Sequence, residues 1–258
     1  MDIFFCPLRI IMQTKDFLPV WSEQFQVRSF DIGLNDTMRV SNLCGYLQEV
    51  AGRHAEHLDV GYTNMKKNGL AWVLWRLSID IQRLPAWGEV FTLETWPLQS
   101  QRIFYRREYL VKKGEEILVA GSSYWIPLDL ATRRPTQIKL ETSVLESNTG
   151  KFAIPGGFEN IPAVSENNPE TVYARYSDLD QNRHVNNARY VAWVFDHIGA
   201  DVLEHAIPRF FSIEYRQEVK PGESIMLTKQ RSGEDAAMLV EGKIAGTGQV
   251  SLRSKIVF

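Results

Sequence analysis

Cysteine is scarce. The 258 residues hold two, Cys6 and Cys44, and neither stands in a Cys-x-x-Cys pair or beside a histidine at metal-ligand spacing. That speaks against a disulfide framework and a zinc site, and a buried thiol in a reducing compartment is the expectation for each. No apolar run approaches the ~20 residues that cross a bilayer. Residues 1–12 are apolar but carry Asp2, Pro7 and Arg9. They lack the basic start and small-residue cleavage site of a secretory leader, so Met12 is a candidate start and residues 1–11 an extension. These readings predict a cytoplasmic protein with no membrane partner. Charge bias is also missing: Lys+Arg number 29 against Asp+Glu 31, a net −2, without the basic footprint of a nucleic-acid binder. There is no phosphate-binding glycine loop, dinucleotide fingerprint or metal cluster, and no cofactor is expected. With 44% hydrophobic and 23% charged residues, the chain has room for one large domain or two of about 100–150 residues, and either buries a core without staples.

What the sequence does contain is one pattern twice. At a single ungapped offset Arg28 overlies Arg175, Asp31 overlies Asp178, Asn35 overlies Asn182 and Gly52 overlies Gly199, with Ile32/Leu179, Met38/Val185 and Tyr46/Trp193 as conservative matches. At a second, shorter offset Ser78-Ile79-Asp80 overlies Ser212-Ile213-Glu214, and Gly88-Glu89 overlies Gly222-Glu223. The first half therefore carries extra residues between its helix and its next strand, around 56–75.

Each half reads alike: an extended stretch (24–30; 171–176), a turn, a helix (41–58; 186–204), then strands. Leu43, Leu47, Val50 and Ala51, like Tyr190, Val191, Val194, Phe195 and Ile198, have helical spacing with a broad buried face. Leu77, Ile79 and Ile81, and Phe211, Ile213 and Tyr215, alternate as strands do. Further strands are predicted at 90–96, 103–111, 117–128, 224–230, 237–244 and 249–258. Pro155-Gly156-Gly157, Pro162 and Asn167-Asn168-Pro169 give the segment between the halves a linker composition. One strand, one long helix and several antiparallel strands resemble the hotdog fold. The expected class is α+β, a tandem (double) hotdog in which an antiparallel sheet wraps a long central helix in each half. The layout is an extension at 1–20, an amino-terminal hotdog at 21–138, a linker at 139–170 and a carboxy-terminal hotdog at 171–258.

The run Asp178-Leu179-Asp180-Gln181-Asn182-Arg183-His184-Val185-Asn186-Asn187 lies where a strand gives way to a helix. It gathers carboxylates, amides and an imidazole. Free N–H groups at a helix start can receive an oxyanion, and a carboxylate or imidazole can act as general base. Helix capping is the competing reading for any single Asp or Asn, Asn186 and Asn187 above all. The repeat is an internal control: Gly33 underlies Asp180, Thr37 underlies His184 and Leu84 underlies Glu218, and only Asn182 keeps its type, as Asn35. If these groups only shaped the turn, both copies should need them. Chemistry in the carboxy-terminal half alone is the inference.

The run Asp180-x-Asn182-x-His184-Val185-Asn186-Asn187-x-x-Tyr190-x-x-Trp193 resembles the signature of the acyl-ACP thioesterases of plants and bacteria, and Glu214-Tyr215-Arg216-x-Glu218 is similar to that family's second motif. The resemblance covers about residues 20–258. It implies hydrolysis of a fatty-acyl thioester, with Asp180, Asn182, His184 and Glu218 as the catalytic set. Glu218 would help activate water, Asn182 and His184 would orient the thioester and stabilise charge, and Asp180 would support His184 or the water. Which carboxylate is the base stays open. Plant members often carry a cysteine directly after the glutamate; here that position is Val219, which cannot be a nucleophile.

The resemblance also implies an acidic partner, acyl carrier protein, and hence a basic docking surface. Between 102 and 139 Arg102, Arg106, Arg107, Lys112, Lys113, Arg133, Arg134 and Lys139 outnumber Glu108, Glu115, Glu116 and Asp129. Arg133 and Arg134 are the preferred docking candidates, and Asn186 and Asn187 are candidates for substrate contact. The acyl tunnel is implied near the first helix, with Leu43, Tyr46, Leu47, Val50, Trp72 and Leu74 as candidate linings, although core packing explains the same residues. Alternatives are an acyl-CoA thioesterase, a 3-hydroxyacyl dehydratase or a non-catalytic acyl-binding module. A monomer and a homodimer are both compatible with an internally paired fold.

Overall fold

The computed structural model describes residues 16–166, 168–233 and 237–258. Cys6, Asn167 and the proposed extension at 1–11 lie outside the described residues. The amino-terminal half contains β1 (Trp21–Gln26), a 3-10 turn (Ser29–Asp31), α1 (Val40–His57), α2 (Tyr62–Lys67), β2 (Leu70–Ile81), β3 (Val90–Pro97), β4 (Tyr105–Lys113) and β5 (Glu116–Asp129). After α3 (Thr142–Ser147) the order repeats: β6 (Glu170–Tyr173), a 3-10 turn (Tyr176–Asp178), α4 (Asn187–Ile198), α5 (Ala200–Leu203), β7 (Phe210–Tyr215), β8 (Ser224–Arg231), β9 (Met238–Ile244) and β10 (Val250–Val257). The strands form a 10-stranded antiparallel sheet in the order β1-β3-β4-β5-β2-β7-β10-β9-β8-β6. Read from either edge, the order is the same for the two halves. This is the α+β double hotdog.

The halves join where β2 pairs with β7, with Ser78 opposite Ser212, Leu77 opposite Ile213 and Ile79 opposite Phe211. The Ser78 and Ser212 hydroxyls lie 2.7 Å apart. These are the two serines that the sequence repeat superimposes, so a local two-fold axis passes between them. α1 and α4 pack together on one face of the sheet. Alternation sends Leu77, Ile79 and Ile81 to that face, into a single buried cluster with Leu43, Leu47, Val50, Val191, Val194, Phe211 and Ile213. Burying each such side chain stabilises the fold by about 1.5–3 kcal/mol.

The repeat extends to individual backbone bonds. Arg28 N–H donates to Asp31 Oδ2 and Arg175 N–H to Asp178 Oδ2, both at 2.9 Å. Gly88 and Gly222, which superimpose, both turn through positive φ, 75° and 82°, where a side chain would strain the backbone. The residues extra to the first half form α2 and the start of β2. The second helix is shorter than the 186–204 that periodicity predicts. Gly199, at φ 105° and ψ 149°, ends α4, and the chain restarts as α5.

Between the halves the chain is fastened to the sheet face opposite the helices. Arg106 donates to the carbonyls of Ile154 and Gly156, each at 2.7 Å, Glu108 Oε2 accepts from Ala153 N–H, and Phe158 packs on Tyr124. Arg106 also pairs with Glu108 at 2.6 Å, and Lys112 and Lys113 pair with Glu94 and Glu89. Arg106 and Arg107 are buried. The basic run expected as one docking face is therefore dispersed, because strand alternation divides it between two faces and the core. No described helix is long and apolar enough to cross a membrane.

Candidate active site

The loop that carries the candidate residues is closed by its own backbone. Leu179 bridges Val185, Asp180 N–H donates to His184 O at 2.9 Å, and Asn186 N–H donates to Asp178 O at 2.8 Å. Arg183 takes the left-handed conformation at φ 62°. In the first half Ile32 bridges Met38, Gly33 N–H donates to Thr37 O at 2.8 Å, Arg39 N–H donates to Asp31 O at 2.8 Å, and Asp36 is left-handed at φ 55°. The same loop thus forms without the Asp180 and His184 side chains. They are free of any structural duty that the first copy would share.

Two residues from outside this loop complete the cluster. Val185 N–H donates to Val219 O at 3.1 Å, and Val219 N–H donates to the Tyr190 hydroxyl at 2.8 Å. That stitch draws the 216–223 segment alongside the loop, and His184 Nε2 lies 3.4 Å from Glu218 Oε2. Val219 itself is fully buried, so the departure from the plant cysteine is a packed side chain. Burial pushes the Tyr190 hydroxyl up to about 12, against the opposing pull of Val219 N–H, so it stays protonated at neutral pH. Arg133, at a left-handed turn after β5, places Nη2 2.5 Å from the same Glu218 oxygen. This docking candidate is exposed, and its guanidinium pairs with Glu218. Arg134 is exposed.

A cavity of about 740 Å³ runs along α1 to this loop, within the size range of small-molecule sites. Asp180, Gln181, Asn182, Asn186 and Asn187 form one wall, and Gly45, Gln48, Gly52, Trp72, Tyr105, Arg107 and Trp125 contribute others. His184 and Glu218 are not among its lining residues; they adjoin it through the loop. Asp180 Oδ1 accepts from Asn182 N–H at 2.8 Å. Asn186 caps α4, accepting from Ala188 N–H, and also lines the cavity. Asn187 reaches Gln48 of α1 at 3.4 Å, linking the halves.

Of the six tunnel candidates only Trp72 lines this cavity. Leu43, Leu47, Val50 and Leu74 belong to the core, with Tyr46 packed against it. Large apolar side chains fill space, whereas a cavity persists where side chains are small. The row Gly45-Gln48-Gly52-Ala55, at helical spacing, is the sequence signal of this wall, and its glycines and alanine are small residues rather than bulky ones. Cys44 faces the core, and burial pushes its thiol up to about 12, leaving it inert.

Comparison with known proteins finds relatives that match most of the chain. Residues 19–144 match the acyl-ACP thioesterase N-terminal domain and residues 162–258 the acyl-ACP thioesterase C-terminal domain. The oleoyl-acyl carrier protein thioesterase of Coriandrum sativum is 31% identical over 93% of this chain and 69% of its own length. The palmitoyl-acyl carrier protein thioesterase of Gossypium hirsutum is 30% identical over 84% of this chain and 56% of its own. Among solved structures, an acyl-ACP thioesterase from Bacteroides thetaiotaomicron superimposes with a TM-score of 0.82 at 26% identity, covering 93% of this chain and 98% of that one. The 12:0-ACP thioesterase of Umbellularia californica gives 0.77 at 26% identity, covering 93% and 96%. With both halves matched in order, the chain belongs to the acyl-ACP thioesterase family.

Proposed function

We propose that this chain hydrolyses the thioester of a fatty acyl group carried on acyl carrier protein, with Asp180, Asn182, His184 and Glu218 at the reacting centre. Water bonds to the thioester carbon, the C–S bond breaks, and the proton lost by water is passed to the departing thiolate, giving free acid and carrier thiol. Glu218 and His184 handle that proton. The Asn182 amide, on the cavity wall, donates to the oxygen on which negative charge builds. Asp180 fixes the Asn182 backbone and polarises the water. Arg133 holds the Glu218 side chain in position.

The observation that carries this reading is the His184–Glu218 contact at 3.4 Å, beside a cavity whose wall includes Asp180 and Asn182. The names of the plant relatives support the carrier. Arg133 and Arg134, the predicted docking pair, are both exposed. The test is release of thiol and free acid from matched acyl-ACP and acyl-CoA across a series of chain lengths. Faster turnover of acyl-ACP is expected. Equal or better turnover of acyl-CoA overturns the carrier, and an enoyl product without free thiol overturns hydrolysis.

A further inference from the structure

Arg107 is a buried charged residue of the cavity that the proposed reaction leaves unexplained. Its neighbours on β4, Arg106 and Glu108, point to the far face and pair with each other. Arg107 points toward the helices and is only 8% exposed. No carboxylate among the described residues lies within ion-pair distance of it. Nη1 donates to His54 Nδ1 at 3.1 Å and to Thr95 Oγ1 at 3.3 Å. Nε and Nη2 have no protein hydrogen bond among the described residues, and Arg107 lines the cavity.

Neither partner supplies a counter-charge. Thr95 donates its own proton to Glu108 O. His54 Nε2 donates to Leu18 O at 2.9 Å, which leaves Nδ1 as the acceptor of a neutral ring. Burial, then Arg107, pushes that imidazole down to about 3. A buried cation without an anion is costly, and burial draws Arg107's own pKa down. The position along the cavity is defined. Gln48 touches Asn187 at the reacting end, and from Gln48 to His54 α1 rises about 9 Å, with Trp72, Tyr105 and Trp125 on the walls.

We propose that the His54 end of the cavity is a recognition subsite in which Arg107 receives an oxygen borne by the acyl chain itself, a hydroxyl or a carboxylate distant from the thioester. The subsite deepens the hydrolase reading and rests on it. A plain methyl terminus offers nothing to the Nε and Nη2 donors, whereas a distal oxygen accepts from them.

The test compares kcat/KM for straight saturated acyl-ACPs with the same chains carrying a terminal hydroxyl or carboxyl, in the wild type, Arg107→Met and Arg107→Lys. Calorimetry with the corresponding free mono- and dicarboxylic acids is run in parallel. A charged hydrogen bond is worth enough to favour the oxygenated chain by roughly tenfold or more. Arg107→Met should remove that preference and Arg107→Lys should keep part of it. The hydroxyl and carboxyl arms show which oxygen is preferred. A wild type that handles plain chains as well as oxygenated ones in both assays overturns the subsite, as does a preference that survives Arg107→Met. If no acyl-ACP is hydrolysed, the hydrolase reading fails and calorimetry alone decides the subsite. If Arg107→Met does not fold, the wild-type preference and Arg107→Lys decide it.

Discussion

His184 Nε2 at 3.4 Å from Glu218 Oε2 is a loose contact of the kind that tightens when substrate arrives. Both side chains are partly exposed, 25% and 30%, so replacing them should leave the fold intact. Glu218→Gln and His184→Ala are expected to lower kcat by about 10²–10⁴ with melting temperature little changed. Arg133→Ala should lower kcat less, and its loss should cost under about 1 kcal/mol in urea unfolding, because the ion pair is half in water. Turnover unaffected in the first two variants removes them from the reaction. These side chains stood out in the sequence because the repeat offered the same loop without them. The Arg133–Glu218 pair did not, because it depends on a left-handed turn that returns the chain to a residue 85 positions on. Arg107 was hidden in a basic run, since its meaning lies in the absence of a carboxylate on a face that only the folded sheet defines.

Gly52 and Gly199 superimpose in the repeat yet occupy opposite situations, and helix stability follows the situation. Gly52 sits inside α1 with nothing within 4 Å of where a Cβ would stand, so Gly52→Ala should stabilise by about 0.5–1 kcal/mol while narrowing the cavity. Gly199 has a conformation that is essentially glycine's alone, and Gly199→Ala should destabilise by about 1–3 kcal/mol. Chemical denaturation of the two variants checks the opposite signs; equal signs refute the account. Strand positions were legible in advance because residues alternate along them and a turn glycine precedes them, as Gly88 precedes β3 and Gly222 precedes β8. The end of α4 was not, because apolar spacing continues past Gly199 while the backbone does not. The walls of the cavity were misread for the reason that makes them walls: glycine and alanine leave no apolar signal.

Across the whole molecule, acid should loosen the fold through groups buried or paired in one charge state. The ordinary histidine value is 6.5, and His54 in the fold lies near 3. The unfolded chain therefore binds the extra proton between those values. Stability is complete above about 6.5 and declines as pH falls toward 3. Glu89, held at about 2 by Arg83 against an ordinary 4.5, adds a decline in the same direction between 4.5 and 2. Melting temperature should fall from pH 7 to pH 4, and His54→Gln should flatten that part of the profile at a lower baseline. An unchanged slope in the variant refutes the assignment to His54. The two-fold plan was readable from residues such as Ser78 and Ser212, whereas the path of residues 139–170 over the sheet was not, since proline and glycine mark a turn without saying where it rests. The continuous β2–β7 seam has one more implication. Two separate identical chains would receive every mutation twice, in both sites at once. Joined end to end, each copy answers only for itself: Leu84 replaced no glutamate in its twin, and a scaffold with two equal clefts could become one with a single cutting edge and a single sleeve.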